Sequence, residues 1–239
     1  MNPEILYEDS EVLAVDKPAG LVVHSDGKTE EKTLVDWLLS KYPEIKDVGE
    51  PGKTSTGETV LRSGIVHRLD RETSGVMLVA KTEESFQNLK KQFQNHEIKK
   101  TYQAFVWGEL KNDEGVIDRP ISRSSKDFRM WTAQRGGRGI EREAITEYKV
   151  LQRKDGYSFV EVTPKTGRTH QIRVHFKAIN YPLVGDALYG PDKENTLGFK
   201  RLALHSKEVT FSDTKGESHT VSASYPEDFE HAMALLQSV

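Results

Sequence analysis

Gly64-Ile65-Val66-His67-Arg68-Leu69-Asp70-Arg71-Glu72-Thr73-Ser74-Gly75 runs straight into Val76-Met77-Leu78-Val79-Ala80. A segment dense in charge and glycine gives way to a short, continuously apolar run, the signature of a loop feeding a buried strand. Thr82 to Asn95 then repeats its apolar residues at helical spacing, with Thr82 as the N-cap and Ser85 as the competing choice. Upstream, Asp47 to Thr59 is rich in Gly, Pro, Ser and Thr and reads as an irregular loop. Reactive side chains tend to sit on loops carried by a rigid sheet, and Asp70 is the candidate here. His67, Arg68 and Arg71 surround it in sequence, and positive neighbours keep a carboxylate ionised, as a nucleophile must be. A surface cluster of salt bridges beside a glycine turn has the same composition, and such networks perturb carboxylates too.

Working outward, Ile5 to Val15 reads as two short strands about an acidic turn, ending at Asp16-Lys17-Pro18-Ala19-Gly20, with a third strand over Leu21 to His24. Thr33 caps a helix reaching about Tyr42, whose Leu34, Trp37, Leu38 and Tyr42 share one core-facing side. Thr101 to Trp107 alternates like a strand, and Thr146 to Val150 and Phe159 to Thr163 are shorter strands. Between them, Ser122 to Gly139 is polar, basic and glycine-containing, a long loop or ribbon. Gln171 to Ile179 is helical, Ala203 to His205 pairs as a strand with Glu208 to Phe211, and Asp228 to Leu236 is a final helix. This order gives an α+β fold, not a repeating βαβ array, with residues 1–239 as a single domain.

Composition narrows the partners. Among 239 residues no apolar run approaches the roughly 20 needed to span a bilayer, and the first residues lack the pattern of a secretory leader, so the expectation is a cytoplasmic protein without a membrane partner. The absence of cysteine excludes disulfides, thiolate metal ligands and a cysteine nucleophile. A net charge of −3 argues against a polyanion binder held by diffuse positive charge, so any nucleic-acid site is local. The basic stretches available are Lys90-Lys91 with Lys99-Lys100, Arg119 through Arg142, and Lys165 through Arg173 with Lys177. No heptad seam or long apolar stripe is present, and the default state is a monomer.

A second informative segment, Thr166-Gly167-Arg168-Thr169-His170-Gln171-Ile172-Arg173-Val174-His175, places arginines, histidines and a glutamine where a turn enters a helix. Helix amides and arginine forks suit anions such as carboxylate or phosphate. The two histidines lack the spacing of a metal site, and no carboxylate cluster supports a metal-dependent nuclease.

Taken together, His67-Arg68-Leu69-Asp70, Lys100-Thr101-Tyr102 and Gly167 through His175 resemble the RluA family of pseudouridine synthases, and the likeness covers nearly the whole chain. Asp16 to Gly20, Thr73-Ser74-Gly75-Val76 and Pro182-Leu183-Val184-Gly185-Asp186 add to it, in the same order. The resemblance implies a mixed, largely antiparallel sheet in two lobes with a central RNA-binding cleft, and no cofactor or metal. It implies that Asp70 is the catalytic residue, acting by addition to the sugar or base or by removing a ribose proton. Arg173 matches the arginine that pairs with this aspartate, in a bidentate geometry that would orient it and lower its pKa. Tyr102 matches the tyrosine that stacks on the target base, although its alternation with Ala104 and Val106 also reads as a core face. Arg68 matches the arginine that enters the vacated RNA stack, and Arg168 lies nearer the phosphate path. The implied partner is RNA, ribosomal RNA ahead of transfer RNA. Many relatives carry an N-terminal S4 RNA-binding domain where this sequence begins at the catalytic region, so recognition is expected from the catalytic domain itself. The Ser124 to Trp131 segment follows the family pattern only loosely. The competing reading is an RNA-binding or ribosome-assembly protein that keeps the cleft without the chemistry.

Overall fold

The computed structural model describes residues 2–25, 31–53, 57, 59–60, 62–134, 136–191 and 194–237. Met1–Lys99 with Ser206–Ser224 form one compact unit, and Lys100–His205 with Tyr225–Val239 form a second. In the first, β1 (Glu4–Glu8) and β2 (Val12–Lys17) are antiparallel. Their turn is closed by the Asp9 carboxylate, which accepts from the amides of Glu11 at 2.7 Å and Val12 at 2.6 Å. No strand forms over Leu21 to His24, contrary to the sequence expectation. The carbonyls of Val22 and Val23 instead accept from Leu34 and Val35, first-turn amides of α1 (Leu34–Lys41) that have no partner within the helix. Thr33 and Asp36 complete a capping box on the same end.

The Asp47 to Thr59 stretch is not wholly irregular, because β3 (Gly52–Lys53) pairs with β4 (Thr59–Val60); its residues 54–56 and 58 lie outside the described residues. β5 (Ser74–Ala80) is buried along its whole length, as its unbroken apolar run requires, and pairs antiparallel with β2 from Val12↔Ala80 to Lys17↔Gly75. α2 (Glu83–Gln94) starts at Thr82, whose hydroxyl accepts from the amide of Ser85 while Ser85 caps back; the two residues share the cap. Phe86 and Leu89 of this helix pack with Val12, Ala14, Val76 and Leu78 in the unit's core.

The second unit is built on the antiparallel order β6-β12-β11-β7: β6 (Lys99–Trp107), β7 (Glu114–Asp118), β11 (Ile145–Lys154) and β12 (Tyr157–Pro164). β11 and β12 meet at Asp155-Gly156, with φ of 51° and 79°, the left-handed pair that a two-residue hairpin turn needs. Between β7 and β11 the chain forms the expected ribbon as a small sheet of β8 (Ile121–Arg123), β9 (Trp131–Thr132) and β10 (Arg138–Arg142). α3 (Gln171–Ala178) buries Ile172 and Phe176 in a core with Ala104, Val106, Val160 and Val162.

The chain then returns to the first unit. Ala203 to His205 and Glu208 to Phe211 are not a strand pair: both fall in or against one strand, β13 (Leu204–Ser212), whose hairpin partner is β14 (Ser218–Ser222). The sheet order of this unit is β1-β2-β5-β13. Gly75 permits it, because a Cβ there would stand 2.2 Å from the Ser206 carbonyl oxygen, and its φ of +109° is one that side chains rarely adopt. α4 (Glu227–Gln237) closes the second unit with Phe229, Ala232 and Leu236 buried. Among the described residues no helix is long and apolar enough to cross a membrane.

Candidate active site

Asp70 sits on the loop that runs from Gly64 back into β5. The loop is fastened at several points to the sheet it leaves. Gly64 accepts from the amide of Ala80, Ile65 bridges Val79, and the amide of Leu78 donates to His67 Nε2 at 2.9 Å. His67 also stacks on Phe93 of α2 with ring centroids 4.6 Å apart. An imidazole nitrogen that accepts from an amide carries no proton there, so His67 is a neutral brace and not one of the positive neighbours expected of it.

The far side of the loop is held by the Asp16 to Gly20 segment. Lys17 is fully buried, and its ammonium donates to the carbonyls of Pro18 at 2.9 Å, Leu21 at 2.9 Å and Arg71 at 3.0 Å. Three protons thus meet three carbonyls, which is how a charge is tolerated in an interior. The Arg71 carbonyl accepts a second bond from the Gly20 amide at 2.9 Å, and the Asp70 carbonyl accepts from Thr73 at 3.1 Å. The backbone on either side of the Asp70 side chain is therefore fixed from both directions. Arg68 is exposed, and its charge adds to burial in pushing the His24 imidazole below its ordinary range. Arg71 pairs with Glu31 at the surface.

Arg173, Arg168 and Tyr102 belong to the second unit. Arg173 is buried in the first turns of α3, and its Nε and Nη2 each donate to Asp186 at 2.8 Å. That two-bonded pair engages one edge of the guanidinium, and it was not assigned from sequence, where Asp186 was only part of a motif. Asp186 also accepts from the amides of Leu188 at 3.0 Å and Tyr189 at 3.1 Å, while the Arg173 guanidinium lies 5.0 Å from the centre of the Tyr189 ring. The Tyr189 hydroxyl accepts from the Trp131 amide at 2.9 Å and is 2.9 Å from His170 Nδ1. The motif ending in Asp186 turns at Gly185, where a Cβ would stand 1.9 Å from the Arg201 carbonyl oxygen.

The turn before α3 is organised by Gln171. Its Oε1 accepts from the Thr166 hydroxyl at 2.7 Å and the Arg168 amide at 3.0 Å, and its Nε2 donates to Ile145 at 2.9 Å and Thr146 at 3.0 Å. This side chain supplies the order that the N-cap, a left-handed His170 without a side-chain cap bond, does not. Arg168 spends its Nε on the Glu143 carbonyl at 2.9 Å. The two histidines considered for a metal are otherwise engaged: His175 is buried between the Thr146 hydroxyl and the Arg119 carbonyl, each at 2.9 Å, and burial pushes its imidazole below the ordinary range.

Tyr102 follows Lys100 on β6 and is half-buried, packing against the cluster that contains Ala104 and Val106, so its alternating face does serve the core. Lys100 is buried, which lowers its pKa, and a Cβ on Gly167 would lie 3.9 Å from its Nζ; the Lys100 and Gly167 motifs therefore meet.

The sequence model of the RNA pseudouridylate synthase family matches residues 11–178. An RNA pseudouridine synthase of Bacillus subtilis, YlyB, is 39% identical over 229 residues, which cover 95% of this chain and 71% of that protein. Ribosomal large subunit pseudouridine synthase D of Xanthomonas campestris is 38% identical over 245 residues, covering 98% and 69%. Of solved structures, human RNA pseudouridylate synthase domain containing 1 matches with a TM-score of 0.75 at 25% identity, over 94% of this chain and 84% of its own. Human RNA pseudouridylate synthase domain containing 4 shows the same fold, with a TM-score of 0.74 at 24% identity over 98% and 92%. The residues matched by the family run from β2 through α3 and take in Asp70, Tyr102, Arg168 and Arg173, and the chain belongs to the RNA pseudouridylate synthase family.

Proposed function

We propose that this pseudouridine synthase acts on uridines of ribosomal RNA, with residues 1–239 as one catalytic domain and the Asp70 carboxylate as its catalytic group. The reaction breaks the bond between uracil N1 and ribose C1′, turns the base, and joins C5 to the same carbon. The C5 proton leaves and N1 takes one up, so atoms and oxidation state balance without a cofactor. The carboxylate adds to the sugar or base, or withdraws a ribose proton to give a glycal; each route needs Asp70 ionised. Arg173 is the proposed charge partner of Asp70, as the family resemblance implies, with its guanidinium oriented by Asp186. Tyr102 stacks on the detached base and assists removal of the C5 proton. Arg68, exposed on the Asp70 loop, fills the stack vacated by the extruded uridine, and Arg168 meets a phosphate.

The observation that carries the reading is the fastening of the Asp70 loop: a buried lysine with all three protons on carbonyls, one of them the residue after Asp70, holds backbone in place as a reacting carboxylate needs. The ribosomal substrate follows the relatives named large subunit pseudouridine synthase D. The proposed state is a monomer working in the cytoplasm.

The test is to incubate the purified protein, without added metal or cofactor, with unmodified total RNA and to map pseudouridine at single-nucleotide resolution beside Asp70→Asn. New pseudouridine in ribosomal RNA with the intact protein, and at least about a thousandfold less with the variant, is the expected outcome. Product confined to transfer RNA overturns the substrate, and turnover surviving in Asp70→Asn overturns the catalytic assignment.

A further inference from the structure

The second unit holds a cleft of about 280 Å³ between α3 and the small sheet. Its lining is aromatic through the half-buried Trp131, apolar over a floor of Val174, Ala178 and Tyr189 that is itself almost fully buried, and cationic through Lys126 and Lys177. The Trp131 side chain is held in place. The Trp131 ring lies 4.5 Å from the Arg123 guanidinium, and the Trp131 amide donates to the Tyr189 hydroxyl. The two lysines are exposed.

Fixed aromatic surface beside exposed cations is the chemistry of an unstacked nucleotide: a base finds a flat partner and its phosphate finds a charge that stays in contact with solvent. A volume of about 280 Å³ is on the scale of one nucleotide. A site for a free metabolite would enclose the phosphate with buried charged donors, whereas exposed lysines fit a phosphate whose chain continues on both sides. We propose that this cleft receives one unpaired nucleotide of the RNA other than the target uridine, its base against Trp131 and its phosphate at Lys126 and Lys177. The proposal rests on RNA being the substrate. It gives the Ser124 to Trp131 segment, which departs from the family's usual basic pattern, a reading function of its own.

The probes are fluorescein-labelled decauridylate, a ten-base-pair RNA duplex and uridine monophosphate, with binding followed by fluorescence anisotropy or by competition. Ala133, a half-buried residue of the cleft lining, is replaced in Ala133→Trp to fill the space, and exposed Lys177 in Lys177→Ala removes one cation without touching the core. Thermal melting confirms that each variant is folded. Filling the cleft is expected to weaken decauridylate roughly tenfold and the duplex less than twofold. Lys177→Ala is expected to reduce the slope of log affinity against log salt for decauridylate by about 0.7. Unchanged decauridylate binding by the filled variant, or equal loss for strand and duplex, overturns the proposal. So does tight uridine monophosphate binding that Ala133→Trp abolishes while decauridylate is unaffected, which would mark a metabolite site. Binding requires no turnover, so these outcomes stand even if Asp70 proves dispensable.

Discussion

Asp186 accepts four hydrogen bonds through two oxygens, from Arg173 Nε and Nη2 and from the amides of Leu188 and Tyr189. Its side chain is fully buried and that of Arg173 nearly so, a pair whose removal by halves is far costlier than its net worth. Asp186→Asn removes the buried carboxylate that the guanidinium faces and is expected to cost about 3 kcal/mol of stability, read by urea unfolding. Under the proposed role for Arg173, the variant also lowers turnover per folded molecule; a stability loss with unchanged turnover per folded molecule would confine Asp186 to structure. His175 gives a second test at this scale. Burial holds its imidazole below the ordinary 6.5, so the unfolded chain binds the proton more readily than the folded one. Its contribution to stability is complete above that unfolded value and is lost as pH falls below it, by up to about 1.4 kcal/mol per pH unit. Unfolding measured at pH 7 and pH 5.5 is expected to show this decline, and His175→Gln, which retains a donor and an acceptor, is expected to flatten it.

At the scale of elements, the pairing of β5 with β13 depends on a missing side chain. Gly75→Ala would drive a Cβ into the Ser206 backbone at a strained φ, and backbone on both sides cannot yield as a flexible side chain does. The expected loss is about 3 kcal/mol or more, with a fall in melting temperature; a fully stable variant would mean that the strands part easily. β5 itself was legible in sequence because an unbroken apolar run between charged and polar stretches has few alternatives. The capped helices were equally plain, since Thr33 and Thr82 each have an in-register partner three residues on. Leu21 to His24 misled because its apolar residues serve as backbone acceptors for α1, a role that periodicity does not encode. The single strand Leu204–Ser212 was split where a polar Ser206 interrupts the apolar pattern, although that serine is buried with its hydroxyl on the Val76 carbonyl. Asp155-Gly156 was the overlooked signal for the β11–β12 hairpin. Asp70, Tyr102 and Arg173 were proposed through motif resemblance, whereas the supports around them were not: Lys17, Gln171 and Asp186 owe their roles to carbonyls, amides and a guanidinium brought near by folding.

Taken whole, the molecule divides its charge unevenly. The second unit's sequence carries 19 Lys and Arg against 16 Asp and Glu, net +3, leaving 15 against 21, net −6, in the first. RNA affinity is accordingly expected to fall with salt, and neutralising exposed Arg123, Arg138 and Arg142 to reduce the log–log slope by about 0.7–0.9 for each phosphate that an arginine no longer meets. Replacement of exposed lysines of α2, such as Lys91, is expected to leave that slope in place; the reverse pattern would put the RNA on the acidic unit. The division has a further consequence, because the acidic unit is discontinuous in the chain. Its core needs Val209, Phe211 and Val221, which leave the ribosome about 130 residues after Gly75. At roughly 5–20 residues per second of synthesis, the nascent strand that bears Asp70 waits on the order of ten seconds with one flank open. For that interval the second unit, all but α4 of which emerges in one piece, can order itself first, and the sheet beneath the loop carrying Asp70 is completed only after β13 and β14 have followed it out.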